Sequence, residues 1–230
     1  MIHLAVLDMA GTTVTDNSFV ATAFQTAFRQ HNLEVSDAEV NPLMGYPKPV
    51  AIRMVLEKRG VKHEQGLVDS ISDAFTRAML DFYEDSPHVQ PMPGAEDLFL
   101  YLQERGIYVA LNTGFSREIA QVIIDRFQWL DRGLVDDFIA SDEVEQGRPH
   151  ADMIIALKER FSLGDESVVM KVGDTLVDIE EGKAARCKYV IAVTTGATPE
   201  EELAAYKPTH IISSLSQIPS VLKESIEANV

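Results

Sequence analysis

At 230 residues the chain suits one large α/β domain, or a core that carries a smaller inserted domain. A formal net charge of −16 argues against nucleic acid or an anionic membrane as partner, and it means that any phosphate site must bring its own local cations. The single cysteine, Cys187, excludes an intramolecular disulfide framework, no Cys/His cluster has zinc-ligand spacing, and no apolar window reaches the length of a membrane span or reads as a signal peptide, so the expected location is the cytosol.

In chain order, the apolar run Ile2 to Leu7 reads as a buried parallel strand ending at Asp8, and Met9-Ala10-Gly11-Thr12-Thr13 follows as a loop. Helical periodicity covers Phe19 to His31, Ser36 to Leu43, Pro49 to Arg59 and Glu64 to Glu84, with no strand-like run among them. Asp85-Ser86-Pro87 and Pro91-Met92-Pro93-Gly94 close this helical section. Beyond it, strands are expected at Ile107 to Leu111, Leu134 to Ala140, Ser167 to Val172, Tyr189 to Val193 and His210 to Ser213, alternating with amphipathic stretches such as the helix from about Ser116. The pattern predicts an α/β, doubly wound (Rossmann-like) parallel-sheet core over 1–16 plus 92–230, with an inserted α-helical domain over 17–91.

Four strand-end loops carry groups suited to phosphoryl chemistry, and in open α/β sheets the chemistry sits beyond the carboxyl ends of the strands. Asp8 can attack phosphorus to form an aspartyl-phosphate. Gly11 permits the sharp turn that lets backbone N–H groups approach an anion, so Gly11 and Thr12 are assigned to the phosphate. Thr113 and Gly114 offer a hydroxyl and an N–H at a helix start. Arg148, in Gly147-Arg148-Pro149, can neutralise charge developing on the transferring group, and Pro149 is expected to open the next helix. Asp174 and Asp178 lie one helical turn apart, an arrangement that suits a hard, oxygen-loving cation such as Mg2+. Taken singly each signal is ordinary, since an Asp after a strand is often a helix cap and Thr-Gly is common turn chemistry. Ala10 is the exception: an ester hydrolase would want a carboxylic acid there to protonate the departing alkoxide, and this chain has a methyl group.

With these loops in this order, the chain resembles a haloacid dehalogenase-superfamily hydrolase with a helical cap, over essentially its whole length. The resemblance implies Asp8 as nucleophile and metal ligand, the Ala10 carbonyl, Asp174 and Asp178 as further Mg2+ ligands, and Thr113, Gly114 and Arg148 at the phosphate. Within the superfamily, Asp-x-Ala-Gly-Thr-Thr, Gly-Arg-Pro and Lys171-Val172-Gly173-Asp174-Thr175 resemble the phosphonoacetaldehyde hydrolases, or phosphonatases, in which alanine likewise replaces the usual acid. Their cap carries a Met-Gly-x-x-Lys segment whose lysine forms a Schiff base with the aldehyde; Met44-Gly45-Tyr46-Pro47-Lys48 matches it. Lys48 is expected at a helix N-cap ahead of Pro49, where the positive helix end lowers the pKa of an amine. Where the family has histidine, cysteine and tyrosine around the lysine, this chain has Ala51, Ser18 and Phe115. Moving protons there needs other groups or water, with Tyr46 one candidate and a packing role its other reading. The family's second proline after Gly-Arg-Pro is also absent, since His150-Ala151 follows.

The expected function is therefore Mg2+-dependent cleavage of the P–C bond of a small phosphono-aldehyde. Asp8 is the nucleophile, Lys48 the imine-forming amine, and a lid-like cap movement excludes water. The alternative is a phosphatase or phosphotransferase for a small phosphate ester, with Lys48 as a cap specificity residue. The partner is in either case a small-molecule phosphonate or phosphate. Phe19 to Phe28 has two readings, a homodimer interface through the cap or part of the cap's own core. Cys187, Trp129 and Phe127 are read as packing residues, and the histidines receive no role.

Overall fold

The computed structural model describes residues 2–165 and 168–227. Six parallel strands form one sheet in the order β3-β2-β1-β4-β5-β6. They are β1 (Leu4–Asp8), β2 (Tyr108–Thr113), β3 (Asp137–Ala140), β4 (Val169–Gly173), β5 (Tyr189–Val193) and β6 (His210–Ile212). Chain order reverses about β1, which pairs with β2 on one side and β4 on the other. That crevice is where a doubly wound sheet binds its ligand. β1 and β4 are buried at every position, as expected for parallel strands covered on both faces. The predicted fourth strand begins at Ser167, which lies outside the described residues, and its observed part starts at Val169.

The predicted third strand is shorter than its apolar run. The N–H groups of Leu134 and Val135 bond to the Trp129 carbonyl, and pairing with β2 begins only when Asp136 donates to Val109. Helices α5 (Ala95–Gln103), α6 (Arg117–Phe127), α7 (Asp152–Arg160), α8 (Leu176–Ala184), α9 (Glu200–Ala205) and α10 (Ile218–Glu227) surround the sheet. Pro149 does not open α7, which starts three residues later with Ala151 as its cap; the Gly147 carbonyl accepts the His150 N–H in a turn first.

Between β1 and α5 the chain is helical, as predicted: α1 (Phe19–Arg29), α2 (Asp37–Val40), α3 (Lys48–Lys58) and α4 (Gln65–Asp85). The two crossings run side by side, with Thr15 donating to the Gln90 carbonyl at 3.0 Å and Met92 donating to the Thr13 carbonyl at 2.8 Å. The apolar face of α1 is covered within the chain: Phe24 and Phe28 are fully buried, and Phe24 meets Phe75 of α4 edge-on. Arg126 of α6 ties down the end of α4 by donating to the carbonyls of Tyr83, Glu84 and Ser86. Such a cation offsets the unsatisfied carbonyls and negative end of a helix C-terminus. No described helix is long and apolar enough to cross a membrane.

Candidate active site

Asp8, Asp174 and Asp178 converge at the carboxyl edge of β1 and β4, with one oxygen from each within 4.8 Å of the others. The sequence brings them together because β1 and β4 are paired in register and each strand stops at the same edge. Beneath them lies a ring of buried charge. Arg148, with a fully buried side chain, donates to Asp8 Oδ1 at 2.6 Å and lies 3.0 Å from Asp178 Oδ1. Its Nε donates to Glu181 Oε2 at 3.1 Å, and its Nη2 donates to the Asn112 carbonyl and Oδ1 at 2.8 and 2.7 Å. Lys171 Nζ adds contacts to Asn112 Oδ1 at 2.6 Å, Asp178 Oδ1 at 2.9 Å and Glu181 Oε2 at 3.0 Å. The Asn112 amide in turn donates to Glu181 Oε1 at 2.8 Å.

This ring sets the protonation of the three aspartates apart. Burial drives the Asp8 carboxyl upward, opposed by the Arg148 charge. Asp178 is also penalised by burial, but Arg148 and Lys171 outweigh it and hold the carboxyl below its usual range. Asp174 is pushed well above that range, by burial first and then by the charges of Asp8 and Asp178. Among the described residues it has only neutral donors, Thr12 Oγ1 at 3.0 Å and the Ala197 N–H at 3.2 Å. Three crowded carboxylate oxygens of which one lacks a counter-charge fit a hard cation, and an all-oxygen donor set is the one Mg2+ takes. Two glycines make room for Asp174: Gly11, at φ +87°, where a Cβ would meet Oδ2 at 2.8 Å, and Gly196, where a Cβ would overlap the carboxylate.

The expected roles of Gly11 and Thr12 at the phosphate need correction. The Gly11 N–H is spent on the Val14 carbonyl and the Thr12 N–H on the Met9 carbonyl, while the Thr12 hydroxyl is spent on Asp174. Both residues build the loop that carries Asp8 and do not line the cavity in front of it. Core loops line that cavity with Asp8, Ala10, Thr113, Gly114 and Asp174, Asp16 adds to it from the crossing ahead of α1, and the helical segment adds Gly45 and Lys48. Arg148 and Asp178 stand behind Asp8, outside the lining.

Lys48 is the first residue of α3, with Pro47 as the N-cap, one position from the expectation. The Pro47 carbonyl accepts from Val50 and Ala51, so the helical turn already includes Lys48. Its amine lies 5.5 Å from the Phe75 ring centroid and 5.7 Å from that of Phe115, with no hydrogen bond or ion pair to a described residue. Burial lowers its pKa to about 8, against the opposing pull of Asp16 and then Asp8. Phe115 therefore forms a wall of the cavity, whereas Ala51 is buried and Ser18 is exposed. Tyr46 does not serve as the expected proton carrier. Burial raises its pKa, its charged neighbours are Glu180 and Tyr206, and it does not line the cavity. Gly45, at φ +83°, turns the chain just before Tyr46, and a Cβ there would overlap Thr175.

Asp16, Asn112, Lys171, Glu181 and Gly196 had no assigned role in the sequence. One signal was present: Lys171 is a charge inside an otherwise apolar strand, which demands buried partners.

The geometry accords with known proteins. Residues 5–192 match the family model described as haloacid dehalogenase-like hydrolase. The chain is 28% identical over 205 residues to a phosphonoacetaldehyde hydrolase of Hahella chejuensis, covering 84% of this chain and 68% of that protein. A hydrolase from Pseudomonas syringae has the same fold, with a TM-score of 0.85 at 16% identity over 96% of this chain and 98% of that one. So does a phosphonoacetaldehyde hydrolase-like protein from Oleispira antarctica, with a TM-score of 0.80 at 23% identity over 97% and 92% of the two chains. With the family match spanning most of its length, the chain belongs to the haloacid dehalogenase-like hydrolases and is a hydrolase.

Proposed function

We propose that this hydrolase cleaves the P–C bond of a small phosphono-aldehyde, phosphonoacetaldehyde or a relative, with Mg2+ bound by Asp8, the Ala10 carbonyl, Asp174 and Asp178. The observation that carries the reading is a buried amine, with no ion pair to a described residue, in the same cavity as Asp8, where Ala10 leaves no acid for an ester oxygen. A pKa of about 8 leaves about a tenth of the amine neutral at pH 7, and the neutral amine is the form that imine formation requires. Mg2+ would supply charge neutralisation between Asp8 and the phosphonate oxygens. Lys48 Nζ bonds to the aldehyde carbon and water departs. Asp8 then attacks phosphorus, and the P–C electron pair moves into the iminium to give an enamine. Water next hydrolyses the aspartyl-phosphate, the enamine takes a proton on carbon, and hydrolysis of the imine frees the aldehyde. Arg148 orients Asp8 through Oδ1 and offsets its charge. Thr113 and Gly114 bind the phosphonate oxygens from the end of β2 and the loop that leads to α6.

In this reading residues 1–16 plus 92–230 act as the core domain and 17–91 as the cap that presents Lys48. The paired crossings at Thr15–Gln90 and Thr13–Met92 support that division. The direct test is borohydride reduction in the presence of phosphonoacetaldehyde, followed by peptide mass analysis. A reduced adduct on the Lys48 peptide is expected, forming faster as pH rises through about 8, where the amine loses its proton. Phosphate release from phosphonoacetaldehyde without any adduct would overturn the imine, whereas neither adduct nor phosphate would leave an ester phosphatase with a cap lysine.

A further inference from the structure

Within the proposed chemistry one requirement has no residue assigned to it: imine formation moves protons between amine, carbonyl oxygen and departing water, and Ala51, Phe115 and the outward Tyr46 cannot carry them. Asp16 can. It lines the cavity with Lys48 and Asp8, although it belongs to none of the strand-end motifs. Its Oδ1 accepts the Val20 N–H at 2.9 Å, which fixes the carboxyl at the start of α1. Of the charges that act on the Lys48 amine, Asp16 has the largest effect, ahead of Asp8. Burial raises the Asp16 pKa while it lowers that of Lys48, so the energies of the ionic and neutral forms of this pair approach one another. Holding an N–H at a helix start needs only an acceptor, for which Asn or Ser would serve. A carboxyl group that shares its cavity with an amine unpaired among the described residues offers more than that.

We propose that Asp16 is the general acid and base for imine formation and hydrolysis at Lys48, an inference that rests on the Schiff-base reading above. As the Lys48 Nζ lone pair bonds to the carbonyl carbon, the C=O electron pair moves to oxygen, which takes the Asp16 proton. The new ammonium returns a proton to Asp16. Asp16 then protonates the carbinolamine hydroxyl, the C–O bond breaks to release water, and the nitrogen lone pair forms the C=N bond. The product is an iminium facing the Asp16 carboxylate, and the reverse sequence releases the aldehyde after P–C cleavage.

The test is the rate of borohydride trapping of phosphonoacetaldehyde on Lys48 in wild-type, Asp16→Asn and Asp16→Ser proteins, with thermal midpoints measured alongside. Both variants keep an acceptor for Val20 and lose the acid. The proposal expects trapping to slow by about 10²-fold or more in both, at thermal midpoints close to wild type. Turnover of p-nitrophenyl phosphate, which needs Asp8 but no imine, separates the alternatives. Wild-type trapping rates in the variants would overturn the role of Asp16. Equal losses of trapping and of p-nitrophenyl phosphate turnover would overturn it too, by assigning Asp16 to the architecture of the whole site. Absence of an adduct in the wild-type protein would instead sink the imine itself.

Discussion

Lys48 shows how a side chain proposed for catalysis can oppose the fold that holds it. Its pKa is about 8 in the folded protein against 10.5 for a free lysine, so the unfolded chain binds more protons between those values and stability rises with pH across that window. Below about pH 8 the full penalty is present, of order 3 kcal/mol at most. Lys48→Met, which keeps the apolar stem between Phe75 and Phe115, should therefore abolish the adduct while raising the thermal midpoint at pH 7. The gain should shrink toward zero as pH climbs from about 8 to 10.5, and an unchanged or lowered midpoint at pH 7 would contradict the burial argument. At this scale the sequence was informative wherever a residue follows a strand: Asp8, Thr113, Arg148, Asp174 and Asp178 all reach one edge. It was misleading at Gly11 and Thr12, because which donors a tight loop spends on itself is decided by backbone hydrogen bonds that residue types do not reveal. Asp16 was invisible because its meaning comes from Lys48, with which it shares only the cavity.

At the scale of elements, α8 does more than deliver Asp178. Its next turn places Glu181, fully buried, against Arg148, Lys171 and Asn112, and Asn112 is 69 residues away in sequence. Periodicity showed α8 only as an amphipathic stretch, and no local pattern marks a glutamate whose partners come from β2, β4 and the loop before α7. Removing one member of a buried ionic cluster leaves uncompensated charge and typically costs about 3–5 kcal/mol. Glu181→Ala should therefore lower stability by that order in denaturant unfolding, and should reduce phosphoryl transfer by loosening Arg148 behind Asp8. A loss under about 1 kcal/mol would mean that water enters and solvates the ring. Helix boundaries were read to within about three residues, and two of the shifts have identifiable backbone causes: the Pro47 carbonyl starts α3 early, and the turn at His150 delays α7. The Gly45 segment was recognised through its resemblance, but its docking was not. Gly114 lies so close to the Gly45 and Tyr46 carbonyls that a Cβ would overlap the Gly45 oxygen. Backbone thus meets backbone where the helical segment covers the strand-end loops, and Lys48 follows directly.

For the whole molecule, alternation of strands and helices was sufficient to predict a parallel, doubly wound sheet, and the sheet order explains why residues from Asp8 to Asp178 meet at one crevice. The net charge of −16 is not spread into the site: Arg148, Lys171 and Lys48 are buried around the aspartates, the local cations that an acidic protein needs in order to hold an anion. What patterning did not convey is the packing between the helical segment and the core, where α1 and α4 bury Phe24, Phe28 and Phe75 in an apolar cluster continuous with that of the sheet. That packing shapes the cavity around Lys48 and with it the choice of substrate. The measurement that bears most directly on the account is inorganic phosphate release, with Mg2+, from phosphonoacetaldehyde beside a panel of small phosphate esters, for wild-type, Lys48→Ala and Asp8→Ala proteins. The account predicts turnover of the phosphonate that is lost in both variants. Ester turnover that survives Lys48→Ala but not Asp8→Ala, with the phosphonate untouched by the wild-type enzyme, would contradict it.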